Sequence, residues 1–237
     1  MRVARACFAV VTAFVLAFVL WLVVLCTAPF DRRRDFVNQI GRLWFRWWKL
    51  TLGFKVQVRG EENIRSGGPF LFVGNHASYL DVIALFTDFP VTMRFLAKKT
   101  LIYVPFFGLG LLSLDHVYIN RRRKDHHQQA LAGMAKRARD GKHLFIFPTG
   151  RRVPDGQIGE WKKGSFVLAT QLQVPVVPVA ITGSAKLFGI GHWLPRPGLI
   201  TIHIGRPIPT AGMTYDDRDR LLQAARAQVE EMLHVAA

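Results

Sequence analysis

Cysteine is nearly absent: the 237 residues hold only Cys7 and Cys26, both in the first hydrophobic segment. On one helix they would stand ~28 Å apart at about 1.5 Å per residue, too far for an internal disulfide. The rest of the chain has no thiol, which excludes a disulfide framework and a zinc–cysteine site there. Acidic residues are also scarce. Sixteen Asp and Glu face 32 Lys and Arg, giving a net charge of +16 and a pI near 10.7. That excess predicts an anionic partner: nucleic acid, membrane phosphate or a phosphorylated substrate. No recognised nucleic-acid motif accompanies the charge, so no nucleic-acid partner is expected. Internal repeats and low-complexity segments are missing as well. His126-His127 beside Asp125 is the one hint of a metal, but adjacent helical residues diverge by about 100° and no fitting ligands surround them. Neither a metal nor a resident cofactor is expected.

What is present begins with a membrane-attachment signal. Cys7–Thr27 is 21 residues without a charge, roughly 31 Å as a helix, which matches a bilayer core of ~30 Å. A signal peptide would carry an h-region of only ~7–15 residues. Ala28-Pro29 is a poor cleavage position, and Leu25 before Cys26 spoils a lipoprotein-type signal. The segment is expected to be an uncleaved transmembrane helix. Arg2 and Arg5 precede it, and Arg32, Arg33 and Arg34 follow. The heavier flank predicts a cytoplasmic body, held single-pass or monotopic. Phe36–Leu52 then interleaves Trp44, Phe45, Trp47 and Trp48 with Arg42, Arg46 and Lys49. That composition suits a helix lying at headgroup level, a soluble-core helix being the other reading. Residues 1–52 are thus expected to form the anchor and 53–237 the acting domain.

Within that domain, strands are predicted at Phe54–Arg59, Phe70–Val73, Arg94–Ala97, His116–Asn120, His143–Phe147, Val176–Ile181 and Leu199–Ile204. Helical patterns intervene near Ser78–Phe86 and at Asp125–Arg139, Lys163–Leu172 and Tyr215–Val235, which favours an α/β sheet flanked by helices. Leu101–Leu114 is apolar and broken by Pro and Gly; buried core and a surface touching acyl chains fit it equally.

Function is most legible in Phe70–Asp81. An apolar strand ends at Gly74-Asn75, a turn carries His76, and a helix opens near Ser78, a favoured cap. On one continuous helix, residues five apart face away from each other; on a bend before the helix, His76 can fold back onto Asp81. A carboxylate on one imidazole nitrogen fixes the tautomer and frees the other nitrogen to take a proton. Three further blocks follow in order: Val117-Tyr118-Ile119-Asn120-Arg121, Phe145-Ile146-Phe147-Pro148-Thr149-Gly150-Arg151-Arg152, and Val174-Pro175-Val176-Val177-Pro178. Bases at the C-terminal ends of strands, where open α/β sheets place ligands, suit phosphate binding.

These four blocks, spanning Phe70 to Ser184, resemble the glycerolipid acyltransferase family, whose best-known members acylate 1-acylglycerol-3-phosphate (lysophosphatidate). The family pattern is N-H-x-S-x-x-D, a strand ending in Arg, F-P-E-G-T-R, then V-P-V-x-P. The resemblance implies transfer of an acyl group from acyl-CoA or acyl-carrier protein to a lysolipid hydroxyl, giving phosphatidic acid. It implies His76 as general base, Asp81 as its orienting partner and Ser78 as a cap rather than a nucleophile. Arg121 and Arg152 fall on anion-binding positions, and Thr149, Gly150 and Arg151 on the substrate loop. Lys98 and Lys163 lie in stretches commonly basic in the family, suited to CoA phosphates or the membrane surface, with a solvated face an equal reading. Thr149 stands where the family has Glu, Arg151 where it has Thr, and Asp115 where it has Gly. The first two changes open a second acceptor class, such as lyso-ornithine lipid or a lysophospholipid. The alternative of another kind is a non-catalytic basic protein that binds membrane or nucleic acid.

Overall fold

The computed structural model describes residues 2–27, 29–31, 34–65, 67–104, 107–120, 124–154 and 157–235. Arg121, expected to bind anions, lies outside the described residues. Two helices come first, α1 (Arg2–Thr27) and α2 (Asp35–Leu52). The strands are β1 (Phe54–Arg59), β2 (Leu71–Gly74), β3 (Met93–Lys98), β4 (Val117–Ile119), β5 (His143–Ile146), β6 (Val176–Thr182) and β7 (Gly198–Ile204). Interleaved are α3 (Leu80–Asp88), α4 (Phe107–Ser113), α5 (Lys124–Arg139), α6 (Gly164–Leu172), α7 (Ser184–Phe188) and the final α8 (Arg218–Val235). All seven predicted strands are present within two residues of their expected bounds. Helices α4 and α7 were not foreseen.

The seven strands form one sheet in the order β1-β7-β6-β2-β5-β3-β4. Strands β6, β2, β5, β3 and β4 run parallel, β7 is antiparallel to β6, and β1 follows β7. A parallel strand needs a long crossover, whereas a short return permits an antiparallel one. Between β6 and β7 stand only the five-residue α7 and a loop, hence the reversal. Central strands covered on both faces read as unbroken apolar runs. Accordingly Phe72, Val73, Leu144, Phe145, Val177 and Val179 have almost no exposure. Edge strand β1 instead alternates, with Lys55, Gln57 and Arg59 turned outward or half-exposed.

Two cores sandwich the sheet. One joins α1, α2, α3 and α7 through Phe45, Phe72, Phe86 and Phe145; the other joins α5, α6 and α8 through Met134, Leu144, Phe166 and Val229. Burying each such side chain is worth about 1.5–3 kcal/mol, and the first core is rich in rings that meet at close range, such as Phe45 on Phe86 at 4.4 Å. Helix α8 packs on the sheet as its spacing predicted, burying Leu221, Leu222, Ala225 and Val229.

Helix α1 begins earlier than its uncharged run, taking in Arg2 and Arg5, and Val3–Thr27 is long and apolar enough to cross a membrane. It lies docked along α2. Ala9, Ala13 and Ala17, one helical turn apart, are buried against it, since small side chains let helix backbones approach. Trp44 Nε1 donates to the Ala13 carbonyl at 3.0 Å and Trp47 Nε1 to Thr12 Oγ1 at 3.1 Å. Two of the three tryptophans of α2, Trp44 and Trp47, therefore hold α1 in place. What α2 turns outward is Asp35, Phe36, Gln39, Leu43, Arg46 and Leu50. The opposite face of α1 is open and apolar, with Val11, Phe14, Val15, Phe18 and Leu22 exposed. In the stretch 101–114, Leu111 and Leu114 are buried, while Tyr103 and Leu112 are exposed.

Asp115 holds φ 59, a left-handed conformation that favours Gly and that Asp tolerates. Its carboxylate meets the buried Arg94 at 3.4 Å and Arg137 at 2.8 Å. The departure from Gly thus keeps the backbone geometry and adds a counter-charge for a buried guanidinium. Next to it, burial, followed by the charges of Arg94 and Arg137, pushes the His116 imidazole down to about 3.

Candidate active site

The C-terminal ends of β2, β5 and β6 converge on one edge of the sheet. As β2 ends, Asn75 is buried and spans to β6 like a further strand residue. Its amide donates to the Ile181 carbonyl at 2.9 Å and its oxygen accepts the Ile181 N–H at 2.8 Å. That reciprocal pair anchors the turn that carries His76.

The structure brings His76 and Asp81 together. His76 Nδ1 lies 2.8 Å from Asp81 Oδ2. The same oxygen accepts the N–H groups of Ala77 and Ser78, each at 2.8 Å. An ionised carboxylate only accepts hydrogen bonds, so facing one Nδ1 is the donor, and in a neutral ring Nε2 is then the lone-pair nitrogen. Asp81 also sits in the first turn of α3, where the helix dipole favours negative charge. The Asp81 side chain is 1% exposed and that of His76 14%. The charge is therefore shielded while the ring remains reachable.

The ring is held from its face as well. Phe147, just past β5, stacks on it with centroids 4.0 Å apart and planes 18° apart. The Val153 N–H donates to the His76 carbonyl at 2.8 Å, tying the loop after Arg152 to the turn. Ser78 is fully buried and its hydroxyl is occupied twice. It donates to the Phe188 carbonyl at 2.7 Å and accepts the Leu80 N–H at 3.0 Å. Helix α3 accordingly starts at Leu80, two residues beyond the expected cap.

Residues 147–153 form a tight loop. Gly150 adopts φ 64 and its N–H donates to the Phe147 carbonyl at 2.9 Å, a bend that suits a residue without Cβ. Thr149, placed among the substrate-binding residues by the sequence, turns inward instead. It is buried and its hydroxyl donates to the Arg151 carbonyl at 2.6 Å, because a short side chain closes its own turn. Arg151 is exposed. Arg152 is half-buried, its guanidinium 3.7 Å from the centre of the Tyr79 ring, a cation–π placement beside the start of α3.

The adjacent Lys162 and Lys163 part ways. Lys163 does not join the loop: its ammonium pairs with Asp219 at 2.9 Å. Lys162 takes that place. Its N–H donates to the Pro148 carbonyl at 3.0 Å, and its Nζ lies 3.6 Å from where a Cβ on Gly150 would stand. Lys98 is exposed at the end of β3, two strand positions from β2. Phe147 stands in a block that the sequence marks out without a role for that ring, and the part played by Phe188 is not visible in the sequence. An aromatic between a strand and Pro-Thr-Gly hints at the first. Nothing local hints at the second, 110 residues from Ser78.

Comparison with known proteins fits this geometry. In backbone the chain falls in the class of α/β acyl-transferring enzymes. It superposes on the crystal structure of the 1-acyl-sn-glycerophosphate (LPA) acyltransferase PlsC from Thermotoga maritima with a TM-score of 0.74, at 27% identity over 98% of each chain. A family model described as Acyltransferase matches residues 55–182, and the chain belongs to that family. Human 1-acyl-sn-glycerol-3-phosphate acyltransferase beta is 30% identical over 81% of this chain and 70% of its own length. The Saccharomyces cerevisiae 1-acyl-sn-glycerol-3-phosphate acyltransferase is also 30% identical, over 81% of this chain and 64% of its own.

Proposed function

We propose that the protein is a membrane-bound O-acyltransferase that moves a fatty acyl group from acyl-CoA or acyl-carrier protein to the free hydroxyl of 1-acylglycerol-3-phosphate, giving phosphatidic acid. The observation that carries this reading is the His76–Asp81 pair, with Nδ1 committed to the carboxylate at 2.8 Å and Nε2 left to act. Nε2 takes the proton of the lysolipid hydroxyl as its oxygen bonds to the thioester carbonyl carbon. The carbon–sulfur bond then breaks, and the imidazolium returns the proton to the departing thiolate. Asp81 stabilises the imidazolium between those two events. Such proton transfer is worth typically ~10²–10⁴-fold. The thioester is already activated, so no acyl-enzyme is needed, in keeping with a Ser78 hydroxyl occupied on both sides. Arg152, Arg151 and Lys162, with Arg121, are the cations for the acceptor's phosphate.

The helical pair supplies the attachment. Docking α1 along α2 favours a monotopic seat, with the open face of α1 in the hydrocarbon. A perpendicular span would draw the Arg46 face of α2 into lipid, at a cost of about 2.5–3.5 kcal/mol per central charge. The names of the human, yeast and Thermotoga relatives support lysophosphatidate as acceptor. The inward turn of Thr149 favours a second reading, in which a loop without an acid serves another lysolipid. An acceptor panel with purified enzyme and acyl-CoA decides between them. Turnover with lysophosphatidate supports the first reading; turnover with other lysolipids and none with lysophosphatidate rejects it.

A further inference from the structure

Among the described residues, the most exposed large apolar side chain is far from α1 in sequence. Trp193 is 95% exposed, with Ile190 and Leu199 each 52% exposed beside it in the chain. A lone exposed apolar residue is ordinary, but a tryptophan and an isoleucine on one loop, with an exposed leucine at the start of β7, invite an apolar or interfacial partner.

The loop is held out rather than folded back. Its base is stapled by Arg196 N–H donating to the Leu187 carbonyl at 2.9 Å and by His192 N–H donating to the Gly189 carbonyl at 3.2 Å. Gly191 at φ 85 makes the bend, and Pro195 and Pro197 stiffen the return. Its bases are Lys186, His192 and Arg196, and the segment Ser184–Leu199 contains no acid. An aromatic tip set among bases is the composition of a contact at the level of lipid headgroups.

Position points the same way. Pro197 Cβ and an Arg5 guanidinium nitrogen both lie within 3.5 Å of the point where a Cβ on Gly53 would stand. The end of this loop, the end of α2 and the first turns of α1 therefore meet at one spot. Leu50, 74% exposed, is three residues before that point, and Val3 and Phe8 of α1 are exposed nearby in the chain. At its other end the loop leads directly from Phe188, whose carbonyl receives the Ser78 hydroxyl. Tyr79, next to Ser78, is 57% exposed beneath Arg152.

We propose that the Gly189–Pro197 loop, led by Trp193, is a second membrane contact that inserts at the headgroup level of an anionic bilayer. This contact seats the mouth of the His76 site against the surface from which its lipid substrate comes. The inference rests on the monotopic membrane reading given above and adds to it a contact far from the helical pair.

The test uses the full-length chain with Cys7 and Cys26, both free, changed to Ser. A polarity-sensitive dye is placed at Trp193→Cys or, for reference, at Phe14→Cys on the open face of α1. Emission and quenching by iodide are read with and without vesicles of phosphatidylcholine and phosphatidylglycerol. The expected result is a blue shift and a several-fold loss of iodide access at both positions on vesicles. In kinetics, Trp193→Ala raises the apparent KM for a vesicle-borne lysolipid about 3- to 10-fold with kcat unchanged, and Trp193→Phe recovers part of it. A dye at 193 that stays open to iodide while the dye at 14 is protected overturns the loop contact and leaves the helical anchor standing. Iodide access at both positions overturns the anchor and the loop together. Protection at 193 that grows with protein concentration without vesicles assigns the loop to a second copy of the chain and overturns the membrane contact.

Discussion

Replacing Asp81 by Asn separates the carboxylate's electrostatic work from its structural work. Asp81 Oδ2 accepts three hydrogen bonds, from His76 Nδ1, Ala77 N and Ser78 N. Asp81→Ala strips all three, leaving two buried backbone N–H groups without an acceptor. At about 1–3 kcal/mol each, that costs roughly 2–6 kcal/mol and confuses lost activity with lost fold. Asn keeps an oxygen in the same place for the backbone donors and removes only the charge. Turning the NH2 toward the ring would turn it on the two backbone donors that share Oδ2 as well, at that same roughly 2–6 kcal/mol, so the oxygen keeps its place. Stability then changes little, while loss of the charge that steadies the imidazolium lowers transfer by ~10²–10⁴-fold, the upper figure being that of the matching Asp→Asn change in Ser-His-Asp proteases. Initial rates of thiol release from acyl-CoA in the presence of a lysolipid, taken beside thermal unfolding, read both effects. An Asp81→Asn enzyme that keeps more than about a tenth of the parent rate would falsify the assignment.

Other consequences are open to simpler measurements. Ser78→Ala is expected to lower stability by about 1–3 kcal/mol, through the lost cap and the Phe188 contact, while activity stays within about tenfold of the parent; complete inactivation of a folded Ser78→Ala protein would restore Ser78 as a nucleophile. Lys162→Ala should raise the KM for the phosphorylated acceptor, whereas Lys163→Ala, which only breaks the ion pair with Asp219, should leave it unchanged. The reverse pattern would overturn the division between them. Folded His116 refuses its proton until about pH 3, whereas in the unfolded chain it binds near 6.5. Its stabilising contribution is therefore complete above pH 6.5 and is lost as the pH falls from there towards 3. His116→Asn keeps an acceptor for the Phe95 N–H without that titration, so urea midpoints should fall less steeply between pH 6.5 and 4 than in the parent; an unchanged slope counts against it.

The sheet was legible because its strands have one-dimensional signatures: apolar runs such as Leu71–Val73 and Val176–Ile181, closed by Gly and Pro. The reversal at β7 was not, since α7 is only five residues long and leaves no helical period to measure the connection. The approach of His76 to Asp81 could be argued from the bend at Gly74-Asn75. The hydrogen bond that fixes the neighbouring Ser78 could not, because its acceptor, Phe188, belongs to another element. Lys162 and Lys163 are adjacent, and which one meets the loop depends on where α6 begins, a boundary that composition does not mark. Thr149 was read from its family position as facing substrate, yet a hydroxyl able to close its own turn does so. The aromatic face of α2 suggested lipid. It meets α1 because indole N–H groups near a second helix find acceptors there.

The central claim is that the imidazole of His76 strips the acceptor's proton, and removing that imidazole tests it most directly. Thioester-dependent acylation of lysophosphatidate is measured with His76→Ala, alongside its circular dichroism and melting temperature. A folded protein whose turnover falls by at least ~10²-fold is the predicted result. A folded His76→Ala enzyme that transfers acyl groups at close to the parent rate would contradict it.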